Sequence, residues 1–215
     1  MKVKVCGMTE FNQIQSLEAL KVDFAGMIFY RQSSRYADPQ LSMHKADIRE
    51  LRIKKVGVFV NADAAEIEQK MKDYGLDYVQ LHGDETPKFC EEVKRFASVI
   101  KAIRVYNKIE LPVLLDQFSN SCDFFLFDTD SKHYGGSGKK FNWSILENLD
   151  IPLPFFLSGG IDYQDAEKLK QFNHPYLFAV DVNSRFERTP GVKEMDKVQA
   201  FVANMKESDP TPESR

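Results

Sequence analysis

Short runs of apolar, β-branched and aromatic residues recur along this chain, separated by stretches where apolar residues return every three or four positions among charges. The first pattern belongs to buried strands and the second to amphipathic helices. The runs predict strands over 2–8, 23–30, 54–60, 78–83, 99–105, 124–129, 155–160 and 177–182. Helices are predicted over 10–20, 64–74, 87–96 and 163–172. In the second of these, Ile67, Met71 and Tyr74 share one face, opposite Glu66, Lys70 and Asp73. Pro112 and a short length leave little room for a regular helix over 110–118.

Several predicted strands are nearly continuous apolar runs (FAGMIFY, VGVFV, FFLFD, PFFLSGG), as parallel strands covered on both sides require. Eight βα units within 215 residues predict an α/β fold, a closed (β/α)8 barrel, as a single domain over 1–206. An open doubly wound sheet usually has fewer strands and carries GxGxxG after the first, which this chain lacks. The last stretch, 207–215, is polar with two prolines and is expected to be a disordered tail.

Composition narrows the partners. A hydrophobic share of 43% supports a core of barrel size, and the net charge of -3 provides no field to draw in nucleic acid or an anionic membrane. No apolar run approaches the roughly 18 residues that cross a bilayer. Three cysteines, with no CxxC pair and no zinc-ligand spacing, suit reduced thiols in a cytoplasmic protein. The expected partner is a small molecule, and monomer and homodimer are both open.

In such a barrel the chemistry collects where strands end and the next loops begin. There the chain places Cys6-Gly7-Met8-Thr9, Ser33-Ser34-Arg35, Gln80-Leu81-His82-Gly83, Asp128-Thr129, Ser158-Gly159-Gly160 and Asp181-Val182-Asn183-Ser184. Glycines after the seventh strand let backbone N–H groups approach a phosphate, and a following helix start adds donors; the same pair would also serve a bare tight turn. HYGGSGKKF fails the nucleotide P-loop pattern, since the first position is His133 and the last Lys140. It reads as a lid within 130–142 or as a plain flexible loop.

Cys6 is either an inert buried thiol or, near a cation, a thiolate fit for proton abstraction or nucleophilic attack. Cys90, in a helix, and Cys122, ahead of a strand at the far end of the barrel, read as structural. Asp128, closing an apolar strand, suits a general acid, with a loop cap as the alternative. The planar fork of Arg35 suits a substrate carboxylate, and His82 can orient, donate or exchange a proton.

Taken together, KVCGMT, GMIFYRQSSR, VGVFVN, VQLHGDE, FDT with YGGSGKKFNW, FFLSGGI and VDVNSRFERTPGVK resemble, in order and over residues 3 to 193, the motif series of the phosphoribosylanthranilate isomerases. The resemblance implies an Amadori rearrangement in tryptophan biosynthesis, without cofactor or metal. It implies Asp128 as the acid that opens the furanose ring and Cys6 as the base at the sugar C2. It puts Arg35 on the anthranilate carboxylate and Gly159, Gly160, Asp181, Asn183 and Ser184 around the phosphate, with Asp181 orienting. The loop after the seventh strand, Gly-Gly-Ile-Asp-Tyr-Gln-Asp, departs from the usual family pattern at the helix start. The related isomerase of the histidine pathway would call for a carboxylate where Cys6 stands. A silent phosphate-binding barrel is the non-enzyme alternative, opposed by the presence of both Cys6 and Asp128.

Overall fold

The computed structural model describes residues 1–105, 109–129 and 142–206. Its eight parallel strands are β1 (Lys2–Val5), β2 (Phe24–Ile28), β3 (Lys54–Phe59), β4 (Tyr78–Leu81), β5 (Ser98–Val105), β6 (Phe124–Thr129), β7 (Phe155–Leu157) and β8 (Leu177–Val182). Each pairs with the next, and β8 returns to β1 with Asp181 opposite Lys4, so the sheet closes as the βα count predicts.

Outside the barrel lie α1 (Phe11–Ala19), α2 (Asp38–Leu41), α3 (Lys45–Glu50), α4 (Ala64–Tyr74), α5 (Pro87–Lys94), α6 (Leu111–Phe118), α7 (Ser144–Glu147), α8 (Ala166–Gln171) and α9 (Met195–Lys206). Local chemistry sets several ends. Asp63 caps α4 by accepting from Glu66 N, and Gly75 closes that helix in the left-handed region. Thr86 caps α5, whose first turn holds Pro87. Pro112 likewise falls in the first turn of α6, where its missing N–H costs nothing, so a regular eight-residue helix forms where little room was expected. The helix expected over 163–172 splits into a 3-10 turn, Tyr163–Asp165, and α8.

Strand alternation sorts side chains into two cores. Val3, Val5, Met27, Phe59, Ile14, Leu17 and Ile67 belong to the layer between strands and helices. Inside the barrel, Phe24, Val56, Ile100, Leu126, Phe156 and Ala179 pack with Tyr78, Phe124 and Phe178. The rings lock at 5.4 Å between Phe24 and Phe156 and 4.8 Å between Phe124 and Phe178. Each fully buried aromatic contributes about 1.5–3 kcal/mol from burial alone.

Four strands stop two or three residues short of the apolar runs that predict them: β1 at Val5, β2 at Ile28, β4 at Leu81 and β7 at Leu157. In two of these overruns the reason is backbone conformation. Gly7 has φ 75°, and Gly159 and Gly160 have φ 96° and 67°, values that turn the chain out of the ladder. The expected lid lies outside the described residues except for Asn142, and so does the expected tail, 207–215.

Candidate active site

Along β1 the alternation KVKVC sends Val3 and Val5 outward to the helix layer and Lys4 and Cys6 inward. Cys6 is buried, 4% exposed, and Gly26 of β2 makes room for it: a Cβ at that position would stand 2.7 Å from the sulfur. Lys4, fully buried, donates a hydrogen bond to Asp181 Oδ1 at 3.0 Å, and its charge acts on the Cys6 sulfur two residues along the same inner face. A thiol beside a cation was expected to ionise easily, but here burial pushes the Cys6 thiol up. Lys4 and Lys193 oppose that push, and Asp181 adds to it.

On β4, Gln80 and His82 alternate onto the inner face. Gln80 Nε2 lies 2.8 Å from His82 Nδ1, so with Gln80 donating, the neutral imidazole carries its hydrogen on Nε2. That nitrogen faces Asp128 Oδ2 at 3.4 Å. Asp128 ends β6 and accepts the Thr129 backbone N–H at 2.8 Å, a local contact of the kind the loop-cap alternative calls for.

Arg35 lies on the loop after β2 and is already paired. Its Nε and Nη2 grip Glu187 at 2.8 to 3.0 Å, a two-pronged contact along one edge of the guanidinium. Glu187 opens a hairpin, β9 (Glu187–Thr189) and β10 (Val192–Lys193), that folds back over the start of the chain. Thr9 Oγ1 donates to Gly191 O, and Gln13 exchanges two hydrogen bonds with the Lys193 backbone. The buried Lys193 ammonium then reaches Glu187 Oε1 at 2.6 Å and Asn183 Oδ1 at 2.8 Å. Burial alone would raise the Glu187 carboxyl, but Arg35 and Lys193 hold it below the usual range. Gly7 fits this crowding, since a Cβ there would meet Asn183 Oδ1 at 2.6 Å and Arg35 Cδ at 2.8 Å.

Between β7 and β8 the rim is made of backbone. Gly159 and Gly160 follow β7 with positive φ, and Asn183 leads into a 3-10 turn over Ser184–Phe186. At the helix start after β7, Asp162 and Asp165 form a capping box that occupies the backbone N–H groups of these two residues. Asp181, expected near the phosphate, turns its carboxylate to Lys4 beneath Cys6. Cys90 and Cys122 are buried free thiols away from the rim, pushed up by burial to about 11 and about 12. Among the described residues no His, Cys, Asp and Glu cluster could hold a metal ion.

Sequence reasoning passed over Lys4, Glu187 and Lys193. The signal for Lys4 was present, since a lysine two residues before Cys6 on an alternating strand must face the interior. Glu187 and Lys193 depend on the fold-back of the hairpin, which no local spacing encodes.

A closed α/β barrel whose inner charges gather at the C-terminal ends of its strands, one thiol and one carboxyl among them, is a barrel enzyme equipped for proton transfer. Comparison with known proteins defines which. Residues 3–204 match the family model of N-(5'-phosphoribosyl)anthranilate isomerase, and the chain belongs to that family. It is 43% identical to the isomerase of Parabacteroides distasonis, covering 94% of this chain and 92% of the relative. It is 38% identical to that of Phocaeicola vulgatus, covering 96% and 98%. The crystal structure of the Thermotoga maritima isomerase superposes with a TM-score of 0.84 at 31% identity, covering 96% and 99% of the two chains. A family structure in complex with reduced 1-(o-carboxyphenylamino)-1-deoxyribulose 5-phosphate matches with a TM-score of 0.80 at 29% identity, covering 96% and 99%. The activity is that of an isomerase between an aldose and a ketose derivative in tryptophan biosynthesis.

Proposed function

We propose that the isomerisation runs by general acid and base catalysis, with Asp128 as the acid and Cys6 as the base. The observation that carries this reading is their placement: Cys6 follows β1 and Asp128 ends β6, both at the C-terminal ends of the strands, with the Lys4–Asp181 pair on the inner face beside Cys6 and His82 Nε2 3.4 Å from Asp128 Oδ2. Asp128 donates a proton to the furanose ring oxygen as the C1–O bond breaks, and the anilino nitrogen supplies the electron pair that forms the iminium. His82, hydrogen on Nε2, orients the carboxyl. Cys6 then removes the C2 proton, which the neighbouring iminium has made acidic, giving an enolamine. A proton adds to C1 as the C2 hydroxyl loses its own, which completes the ketone, and the proton held by Cys6 makes good, through solvent, the one that Asp128 gave.

Arg35 receives the anthranilate carboxylate on its Nη1 side, because Glu187 already occupies the Nε and Nη2 edge. Glu187 and Lys193 thus fix the plane in which the carboxylate binds. The phosphate rests on backbone N–H groups of Gly159, Gly160 and Ser184, with Asn183 held in place by Lys193. Asp181 serves from below through Lys4. Every group named lies on one chain, so monomer and homodimer serve this mechanism equally. Among the described residues no helix is long and apolar enough to cross a membrane. Free, buried thiols suit work in the cytoplasm.

The test is loss of anthranilate-type fluorescence from freshly generated phosphoribosylanthranilate, compared with its aniline analogue. The expected result is rapid turnover of the anthranilate and a large loss of kcat/KM for the analogue in the wild type, with that discrimination lost in Arg35→Met. Equal discrimination by wild type and Arg35→Met contradicts the carboxylate assignment.

A further inference from the structure

One buried cation stands between two buried acids inside the barrel. Lys4 Nζ is 3.0 Å from Asp181 Oδ1, Cys6 follows two residues along on the same inner face, and all three side chains are at most 6% exposed. We propose that Lys4 is the charge partner of Cys6: an ammonium fixed inside the barrel, anchored on Asp181, that stabilises the thiolate in which Cys6 acts as a base. This rests on the reading of Cys6 as the base.

A lysine fully removed from water keeps its charge only where anions face it. Asp181 supplies one, and together they are neutral. Cys6 supplies the second only when it ionises, so Cys6 and Asp181 compete for the same ammonium. Burial would lower the Lys4 ammonium, but Asp181 and Cys6 raise it above the usual lysine value, which keeps it charged throughout. The remaining groups around Cys6 leave this role to Lys4. Lys193 attracts the sulfur from the hairpin, but its ammonium is held by Glu187 and Asn183, with Arg35 beyond. His82 and Asp128 act on the cluster from β4 and β6 through Asp181, and β2 presents only Gly26.

A role of this kind predicts opposite effects from the two neighbours. Lys4→Met removes the cation, and Asp181→Asn removes the competing anion. The measurement is the pH titration of the Cys6 thiolate by ultraviolet absorbance, each protein read against the same protein carrying Cys6→Ala, which subtracts Cys90 and Cys122. Alongside it runs the acid limb of the kcat/KM profile. In Lys4→Met the midpoint rises by about one pH unit or more, in Lys4→Arg it returns toward wild type, and in Asp181→Asn it falls. Shifts in opposite directions support the proposal, whereas midpoints that stay at the wild-type value or move together overturn it. If Lys4→Met does not fold, Asp181→Asn decides alone: a fall supports the proposal, and no change or a rise overturns it. Should Cys6→Ala turn over as fast as wild type, the base reading fails, while the thiolate titration still decides whether Lys4 holds the sulfur's charge.

Discussion

The interior of this barrel has two layers built on the same alternation with opposite contents. Toward the N-terminal ends of the strands, Phe24, Phe124, Phe156 and Phe178 pack ring against ring, with Lys2 capping Phe178 at 4.1 Å. Toward the C-terminal ends, the inward positions become Lys4, Cys6, Gln80, His82, Asp128 and Asp181, where Lys4 pairs with Asp181, Gln80 with His82 and His82 with Asp128, and the Lys4 charge acts on Cys6. The aromatic layer stabilises the closed sheet without needing partners. The polar layer is stable only as a set, because each buried charge depends on the next. Barrel enzymes can place costly groups at one end of the strands because the other end holds the fold together.

The largest effects break this division from below. Phe156→Ala removes a ring from the centre of the aromatic layer and is expected to cost about 3–5 kcal/mol of stability. Urea unfolding measures it, and the folded fraction should keep a near-normal kcat. A similar cost is expected for Glu85→Ala, outside the barrel interior, where Lys101 would be left without its buried partner at 2.8 Å. A stability loss well under 1 kcal/mol in both would show that the fold does not depend on these groups.

A smaller effect separates binding from chemistry at the rim. Glu187→Gln takes one charge from between Arg35 and Lys193 and loosens the plane of the guanidinium. KM is expected to rise about tenfold, the equivalent of one charge-assisted hydrogen bond, with kcat changed less. A fall in kcat at unchanged KM would instead place Glu187 in the proton-transfer machinery.

The smallest effect concerns pH and lies on the outer coat, where α2, α3 and α4 meet. Burial alone would raise Asp38, but hydrogen bonds from Lys70 and Tyr74 lower it, and Lys45 lowers Asp73. Carboxyls depressed in the folded state contribute stability above their unfolded value of about 4, lost as pH falls through the folded value. Stability should therefore drop on acidification below about pH 4, by about 1 kcal/mol or less from this cluster after solvent screening, read as a fall in Tm. Lys70→Met should flatten part of that slope, and a slope identical to wild type would remove Asp38 from the account.

Both layers were legible in the sequence to different depths. The eight apolar runs identified every strand of the barrel, because burial on both faces leaves little else for those residues to do. Strand ends were overestimated at Cys6-Gly7-Met8 and Ser158-Gly159-Gly160, where glycines turn the chain although the apolar character continues. Cys6, Asp128, His82 and Arg35 stood out by type at the strand ends, and the structure brings His82 to 3.4 Å from Asp128. Pairing was harder to read. Arg35 with Glu187 spans 152 residues and Lys4 with Asp181 spans 177, separations that only barrel closure brings together. Asp181 was read by motif as an orienting residue near the phosphate, and its pairing with Lys4 came only with the register.

The central claim is that the polar layer divides proton transfer between one carboxyl and one sulfur. Its most direct test is turnover of freshly generated phosphoribosylanthranilate by wild type, Cys6→Ala and Asp128→Asn side by side, each checked for native folding and unchanged Tm. The account predicts a kcat loss of about a hundredfold or more in each single variant and little further loss in the double variant, as expected of groups that act as a unit. A folded Cys6→Ala or Asp128→Asn protein with wild-type kcat would contradict it.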